Sequence, residues 1–149
     1  MLSTSALGAV TDISLAGNEL AQELYGDAGA NGLNGLGGND TLVGLGGADS
    51  FVFSTALGAS NVDRLADYSV ADDTVLLDNA VFTGLADGAL AAGAFATGAA
   101  ASDADDRILY NSATGALLFD ADGLGGVAAV QFATLSAGLS LTSADFLVI

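Results

Sequence analysis

Residues 35–52 read GLGGNDTLV followed at once by GLGGADSFV, two nine-residue units in direct tandem. Each opens on Gly (Gly35, Gly44) and carries Gly-Gly at its third and fourth positions (Gly37, Gly38; Gly46, Gly47). The sixth position is Asp (Asp40, Asp49) and the eighth is a large apolar residue (Leu42, Phe51). Glycine has no Cβ, so the backbone can turn sharply through positive φ and present carbonyl oxygens inward, while the Asp carboxylate adds a hard anionic oxygen. Ca²⁺ takes about 6 to 8 such oxygens, which makes these glycines and the two aspartates candidate metal-ligating positions. The apolar eighth residue then begins a short strand and points into a core.

Fixed by Gly35 and Gly44, the frame extends backwards through Gly26, Gly17 and Gly8, with eighth positions Leu33, Leu24 and Leu15. The sixth positions of these earlier units are Asn31, Gln22 and Ile13. Ligand character therefore fades toward the N-terminus while the glycine and leucine frame persists. Residues 8–25 are expected to form degenerate coils that continue the stack without binding metal, one way for a repeat array to cap itself. A short helix over residues 18–25 is the open alternative, because Leu20, Ala21 and Leu24 share a helical face.

The charge of the chain bears on this reading. Acidic residues number 18 against two basic ones, Arg64 and Arg107, for a net charge of −16, and 16 of the acids are Asp. Asp favours turns and caps, so a chain rich in Asp and Gly is a chain of turns. Such a charge repels nucleic acid and anionic membrane, and it destabilises the compact state unless cations neutralise it. No nucleic-acid partner is expected. Nor is membrane insertion, since no apolar run reaches the length of a spanning helix. The opening MLSTSALGAVTDISLAG has no basic stretch and no sustained apolar run, so no Sec-type signal peptide is expected there.

With no Cys and no His, disulfides, thiolate zinc sites and the usual catalytic bases are excluded. A Ser nucleophile would lack a His to activate it, and a Walker loop would need a Lys the chain does not have. No enzymatic activity is expected. Paired carboxylates of the glycosidase kind are the one catalytic arrangement left open, and no apolar pocket around such a pair is visible in the sequence.

The tandem units resemble the GGxGxDxUx nonapeptide of RTX, or hemolysin-type, calcium-binding proteins. The resemblance implies an all-β chain: a parallel β-roll with degenerate N-terminal coils over residues 1–53, then a small antiparallel β C-terminal domain over residues 54–149, like that of serralysin-type proteases. In the β-roll, successive units lie on opposite sides and calcium sits between turns two units apart. That geometry pairs the turn at 26–31 with the one at 44–49, offering Asn31, Asp49 and several carbonyls. It also pairs 17–22 with 35–40, offering Asp40 and the amide of Gln22. Asp27 stands where the family's side chain is usually not a ligand.

From Phe53 the nine-residue frame stops. Residues 61–79, NVDRLADYSVADDTVLLDN, resemble the segment that follows the roll in this family through Asp63, Leu65, Asp67, Tyr68, Asp73, Val75 and Leu77. The resemblance makes Asp63 and Asp67 candidates for a terminal calcium site, with solvated turn residues as the alternative. Residues 84–101 are almost all Gly, Ala, Leu, Phe and Thr. They read as a linker, or as a segment that buries Leu85, Leu90 and Phe95 and makes one helical turn. Strand signals at 107–110, 116–120 and 128–132 alternate with turn signals and predict an antiparallel meander. DADG at 120–123 opens like an EF-hand loop, but no Glu follows it, so a β-turn is expected. GLGGVA at 123–128 formally matches a dinucleotide fingerprint, yet too little chain follows for the helix and strand that motif requires.

The meander and the closing LTSADFLVI also resemble the C-terminal domain of type I secreted RTX proteins. The implied function is a secreted calcium-binding module, extracellular or at the cell surface. Its partners are calcium ions and a type I exporter that reads an uncleaved C-terminal signal, and extracellular calcium drives its folding. The alternative is a structural subunit that self-associates through open roll ends into a filament or surface layer.

Overall fold

The structure is a computed structural model in which residues 1–3 and 12–149 are described. From Gly17 on, each nine-residue unit divides into a turn and a strand that contains its eighth residue. Over the repeats the strands are β1 (Leu2–Ser3), β2 (Ser14–Asn18), β3 (Glu23–Tyr25), β4 (Gly32–Leu36), β5 (Thr41–Val43) and β6 (Ser50–Phe53). Two more follow the repeats, β7 (Asp63–Leu65) and β8 (Thr74–Leu77). Odd-numbered strands stack in parallel in one sheet and even-numbered strands in the other, so the chain changes sheet at every unit.

The register follows the eighth positions: Leu24 lies beside Leu42 and then Leu65 in one sheet, and Leu15 beside Leu33, Phe51 and Val75 in the other. Alternation along each short strand turns these residues inward. Leu24, Leu33, Leu42, Phe51 and Val75 are fully buried, each contributing about 1.5–3 kcal/mol by leaving water. Leu15 is half-buried and packs against the same cluster.

This settles the region where a helix was the alternative. Residues 19–22 form a turn and Glu23–Tyr25 a strand, leaving Leu20 70 % exposed while Leu24 is fully buried. A helical face would have buried both. The coil expected over residues 8–11 lies outside the described residues.

Beyond β8 the chain makes β9 (Gly88–Ala89), a 3₁₀ turn at Ala92–Ala94, β10 (Phe95–Thr97), and then β11 (Ile108–Asn111), β12 (Ala116–Phe119) and β13 (Val130–Thr134). Leu90 is buried, and Leu85 and Phe95 are partly buried against the core, so residues 84–101 are packed rather than a free linker. β11, β12 and β13 pair antiparallel as expected, with the third strand starting two residues later than its sequence signal. β13 lies parallel to β7, which fuses the meander to the sheet of odd-numbered strands. A second 3₁₀ turn, Ser143–Asp145, leads into β14 (Phe146–Val148), which inserts between β8 and β9. Among the described residues, the strands form two mixed sheets of eight and six strands, with no α-helix. Among the described residues, no helix is long and apolar enough to cross a membrane.

One apolar cluster runs through both sheets and across residue 53. Between the repeats it is filled by Leu24, Leu33, Leu42 and Phe51; beyond them aliphatic residues such as Leu65, Leu77, Ile108 and Leu117 are joined by a group of aromatic rings. Phe82 meets Phe119 and Phe132 edge-on at 5.3 and 5.0 Å, and Phe53 meets Phe132 at 5.1 Å, the arrangement ring quadrupoles favour.

Candidate metal centre

The turns between strands stack in two columns, one on each side of the molecule. In the first, the turn at 17–22 lies over 35–40, and that over the segment ending at Asp63. In the second, 26–31 lies over 44–49, and that over 66–73. Within each column one contact repeats at every level. The N–H of the sixth-position residue donates to the carboxylate of its counterpart in the next coil: Gln22 to Asp40 Oδ1 at 2.7 Å and Asp40 to Asp63 Oδ1 at 3.0 Å in the first column. In the second, Asn31 donates to Asp49 Oδ1 at 2.8 Å and Asp49 to Asp73 Oδ1 at 2.9 Å. The carbonyl of each sixth residue accepts from the strand below, as Asp40 O does from Arg64 N and Asp49 O from Thr74 N, both at 2.8 Å.

In Asp40 and Asp49, Oδ1 is thus committed to the ladder and Oδ2 faces the first-position glycine, whereas Asp73 Oδ2 accepts from Ser69 N at 2.8 Å. A Cβ on Gly35 would collide with Asp40 Oδ2 and lie 2.9 Å from Asp63 Oδ2; one on Gly44 would collide with Asp49 Oδ2. One on Gly26 would meet Asn31 Oδ1 and lie 2.6 Å from Gly44 O, and one on Gly17 would meet Gly35 O and lie 2.8 Å from Gln22 Oε1. Beside each of these glycines is therefore a space bounded by a sixth-position side-chain oxygen, and at Gly17 and Gly26 also by a carbonyl of the next coil. An oxygen-only donor set of this kind suits a hard cation and no soft one.

The electrostatics point the same way. Asn31, Asp40 and Asp49 are each 2 % exposed, Asp63 3 % and Asp73 8 %, and Asp40 Oδ2 is buried with no hydrogen-bond donor. Of the two basic side chains, Arg64 is exposed between buried neighbours, and Arg107 donates to the carbonyls of Ala104 and Asp106. Burial pushes the Asp63 carboxyl up to about 7, with the Asp40 carboxylate adding to it. Burial likewise raises Asp49 to about 6, helped by the carboxylates of Asp73, Asp67 and Asp27. Asp40 and Asp73 are raised by burial too. These are anionic groups held out of water without a counter-charge, which is costly unless protons or cations neutralise them.

A pH dependence follows. Folding raises these carboxyls above their ordinary value near 3.9, so the stability gained by protonating them is full below about pH 4 and is lost as pH rises through 6 and 7. In chelator, the β signal of the protein is expected to be larger at pH 5 than at pH 8 by far-UV circular dichroism. An equal or larger signal at pH 8 would contradict the burial argument.

Among the described residues, no three of His, Cys, Asp and Glu converge on one point. Any ion here would depend on carbonyls and amides beside one or two carboxylates. The structure places Asn31, Asp49 and Gly44 in one column, and Asp40, Asp63 and Gly35 in the other. Asp67 sits one coil below Gly44, its two oxygens accepting from Gly44 N at 3.0 Å and Leu45 N at 2.8 Å. Gly38 and Gly47 take φ of 105° and 104° at the turn tips, Gly37 lies against the Glu19 carboxylate, and Gly46 N donates to Asp27 O at 3.2 Å. Asp73 joins the second column although it was absent from the candidate ligands. Its signal was present: Asp63-x-Leu65 and Asp73-x-Val75 keep the spacing of Asp40-x-Leu42 and Asp49-x-Phe51. Longer turns, giving coil separations of 23 and 24 residues in place of 18, break the nine-residue frame without breaking the stack.

The second position of the repeat is Leu in both tandem units, where the nonapeptide consensus has Gly, and here both residues take positive φ, 69° at Leu36 and 74° at Leu45. An L-residue in that region costs about 1–2 kcal/mol, of which glycine's extra chain entropy returns part. Leu45 is 55 % exposed and gives up little burial. Leu45→Gly is therefore expected to stabilise the protein by about 1 kcal/mol, read as a higher urea midpoint at unchanged slope; a lower midpoint would show that the leucine side chain outweighs the strain.

Neither a scan against protein-family models nor a search of curated proteins finds a match to this chain.

Proposed function

We propose that residues 12–77 form a calcium-binding β-roll of the RTX type. In this reading the chain is a secreted module, passed unfolded through a type I exporter and folded by extracellular calcium. The observation that carries the reading is the pair of buried, oxygen-lined carboxylate columns without a counter-charge. Asp40, Asp63, the Gln22 amide and the Gly35 carbonyl would hold an ion in one column; Asn31, Asp49, Asp73 and the Gly44 carbonyl would do so in the other. A bound divalent cation supplies the missing positive charge and links successive coils. No residue of the site is assigned a catalytic role.

Timing follows from affinity. Extracellular calcium modules bind at roughly 10⁻⁴ to 10⁻³ M, so the columns stay empty and mutually repelling where calcium is scarce. Folding by mass action then waits for the extracellular medium, and the exporter receives an unfolded chain.

The test compares two aspartates of one column. Asp49 reaches from its own turn to the N–H of Asn31 in the coil above. Asp27 binds within its own turn, Oδ1 accepting from Gly29 N at 2.7 Å and Asn31 Nδ2 at 3.2 Å. Asp49→Ala is expected to weaken calcium binding roughly tenfold more than Asp27→Ala, because it removes a carboxylate from the site. Isothermal titration of both variants decides, and equal affinities would mean the nine-residue frame is wrong.

A further inference from the structure

Strand β4 runs from one turn column to the other, and its sequence carries a reactive pattern. Residues 31–35 read Asn-Gly-Leu-Asn-Gly, so Asn31 and Asn34 each precede a glycine. The other asparagines, Asn18, Asn39, Asn61, Asn79 and Asn111, precede Glu, Asp, Val, Ala and Ser. In an Asn-Gly pair the main-chain nitrogen of the glycine can attack the side-chain carbonyl carbon of the asparagine. A new C–N bond closes a five-membered imide, and the side-chain nitrogen leaves as ammonia with the proton the attacking nitrogen gives up. Water then opens the imide at either carbonyl, giving aspartate or isoaspartate. Glycine favours the closure because it has no Cβ to crowd the ring and admits the backbone angles the ring requires.

Folding takes both reacting groups out of reach of each other. The Asn31 carboxamide is 2 % exposed and held at both ends: Oδ1 accepts from Asp27 N at 2.7 Å, and Nδ2 donates to Gly29 O at 2.9 Å and to Asp27 Oδ1 at 3.2 Å. The attacking group is held too, since Gly32 N donates to Ile13 O of the neighbouring coil at 2.8 Å. Asn34 lies inside β4, where extended backbone turns the next nitrogen away from the side chain. Its carboxamide accepts from Leu36 N at 3.0 Å and donates to Ser54 Oγ at 2.9 Å. Ring closure at either position must break these bonds and rotate a residue out of a parallel ladder, in which Gly32 lies between Ser14 and Ser50 and Asn34 beside Ala16.

The products fit the fold badly. Aspartate at position 31 replaces an amide donor with a carboxylate facing Asp27 Oδ1, and like charges at that distance repel. Isoaspartate there adds a methylene to the main chain, which pulls Leu33 out of register with Leu15 and Phe51 on either side. We propose that Asn31 and Asn34 are spontaneous deamidation sites, open in the unfolded chain and closed by the folding of β4. The interval a chain spends unfolded is then written into it as acid at these two positions. The proposal is independent of the metal reading, which concerns only what triggers folding.

The test incubates the full chain in mildly alkaline buffer, one sample unfolded in urea and one folded in calcium with its β signal verified by circular dichroism. Peptide mass spectrometry follows each asparagine through the mass gained when amide becomes acid. In urea, Asn31 and Asn34 are expected to convert at least about tenfold faster than the other asparagines, because only these two precede the residue without a Cβ. In the folded chain their conversion should slow by about tenfold or more, since reaction then waits on local opening of the strand. Gly32→Ala, compared in urea where folding plays no part, should slow Asn31 about tenfold and leave Asn34 unchanged. Conversion in urea no faster than at the other asparagines would overturn the proposal, as would an unchanged rate at either position in the folded chain. Undiminished conversion of Asn31 in Gly32→Ala would overturn it as well.

Discussion

Chelation of calcium at neutral pH is expected to remove most of the β signal contributed by residues 17–52, while the meander keeps its own. The two halves of the molecule are stabilised differently. Between the repeats the core is one inward side chain per strand, Leu24, Leu33, Leu42 and Phe51, and every strand is bought with a glycine-rich turn. Ordering such a turn costs about 1–2 kcal/mol per residue in backbone entropy. Onto that thin margin fall Asp40, Asp49, Asp63 and Asp73, all buried, in a chain of net charge −16. Beyond Phe53 the core is larger, aliphatic side chains packed with a cluster of aromatic rings, and the strands β11, β12 and β13 are antiparallel neighbours in sequence. A cation at ten times its dissociation constant, about 1–10 mM at the affinity above, contributes about 1.4 kcal/mol per site, so two columns add about 3 kcal/mol to that thin margin. Far-UV circular dichroism with and without calcium gives the total. Amide hydrogen exchange locates it, with protection lost at Leu24, Leu33, Leu42 and Phe51 and retained at Ile108 and Leu117. Equal β signal in both states would end the proposal.

Much of this architecture was legible because the repeat is a strict local code. The Gly, Asp and apolar positions of residues 35–52 give the turn, the strand and the inward side chain at once, and the same frame locates Leu24 and Leu33 where the sixth position is Gln22 or Asn31 rather than Asp. Register was legible for the same reason, since a stack of equal units can only align eighth position on eighth position. What was hidden came from two sources. Insertions in the turns at 54–62 and 66–73 shift the frame, so Asp73 was passed over although its Asp-x-Val spacing was intact. Pairings between distant segments leave no local trace: nothing near β13 says that it lies beside β7, and nothing near Phe146 says that it lies beside Val75. Leu36 and Leu45 at positive φ were hidden in another way, because leucine gives no sign of a left-handed backbone. Only their place in the repeat does.

Phe146→Ala is expected to destabilise the protein by about 3–5 kcal/mol, the cost of emptying a buried phenylalanine site, and to lower the melting temperature by about 10 °C for a chain of this size. β14 is an interior strand. It pairs parallel to β8, Phe146 beside Val75 and Val148 beside Leu77, and antiparallel to β9 on its other side. Phe146 and Val148 are each 2 % exposed, and Phe146 lies 5.5 Å from the Phe95 ring. A capping box joins Thr142 and Asp145 just before the strand, and Ile149 N donates to Leu77 O at 2.9 Å just after it. Removing residues 146–149 would therefore strip β8 of its neighbour and expose its edge, so loss of secretion by that truncation would report misfolding as readily as a missing export signal. The exposed side of the same strand separates the two. Leu147 is 39 % and Ile149 47 % exposed, so Leu147→Asp with Ile149→Asp should leave the melting temperature within about 3 °C, as surface changes do. If the tail is read unfolded by a type I exporter through its apolar character, this folded double variant should nevertheless be secreted poorly from cells carrying the exporter. Secretion at the unaltered level, with the fold intact, would remove the export role from the tail and leave β14 a structural strand only.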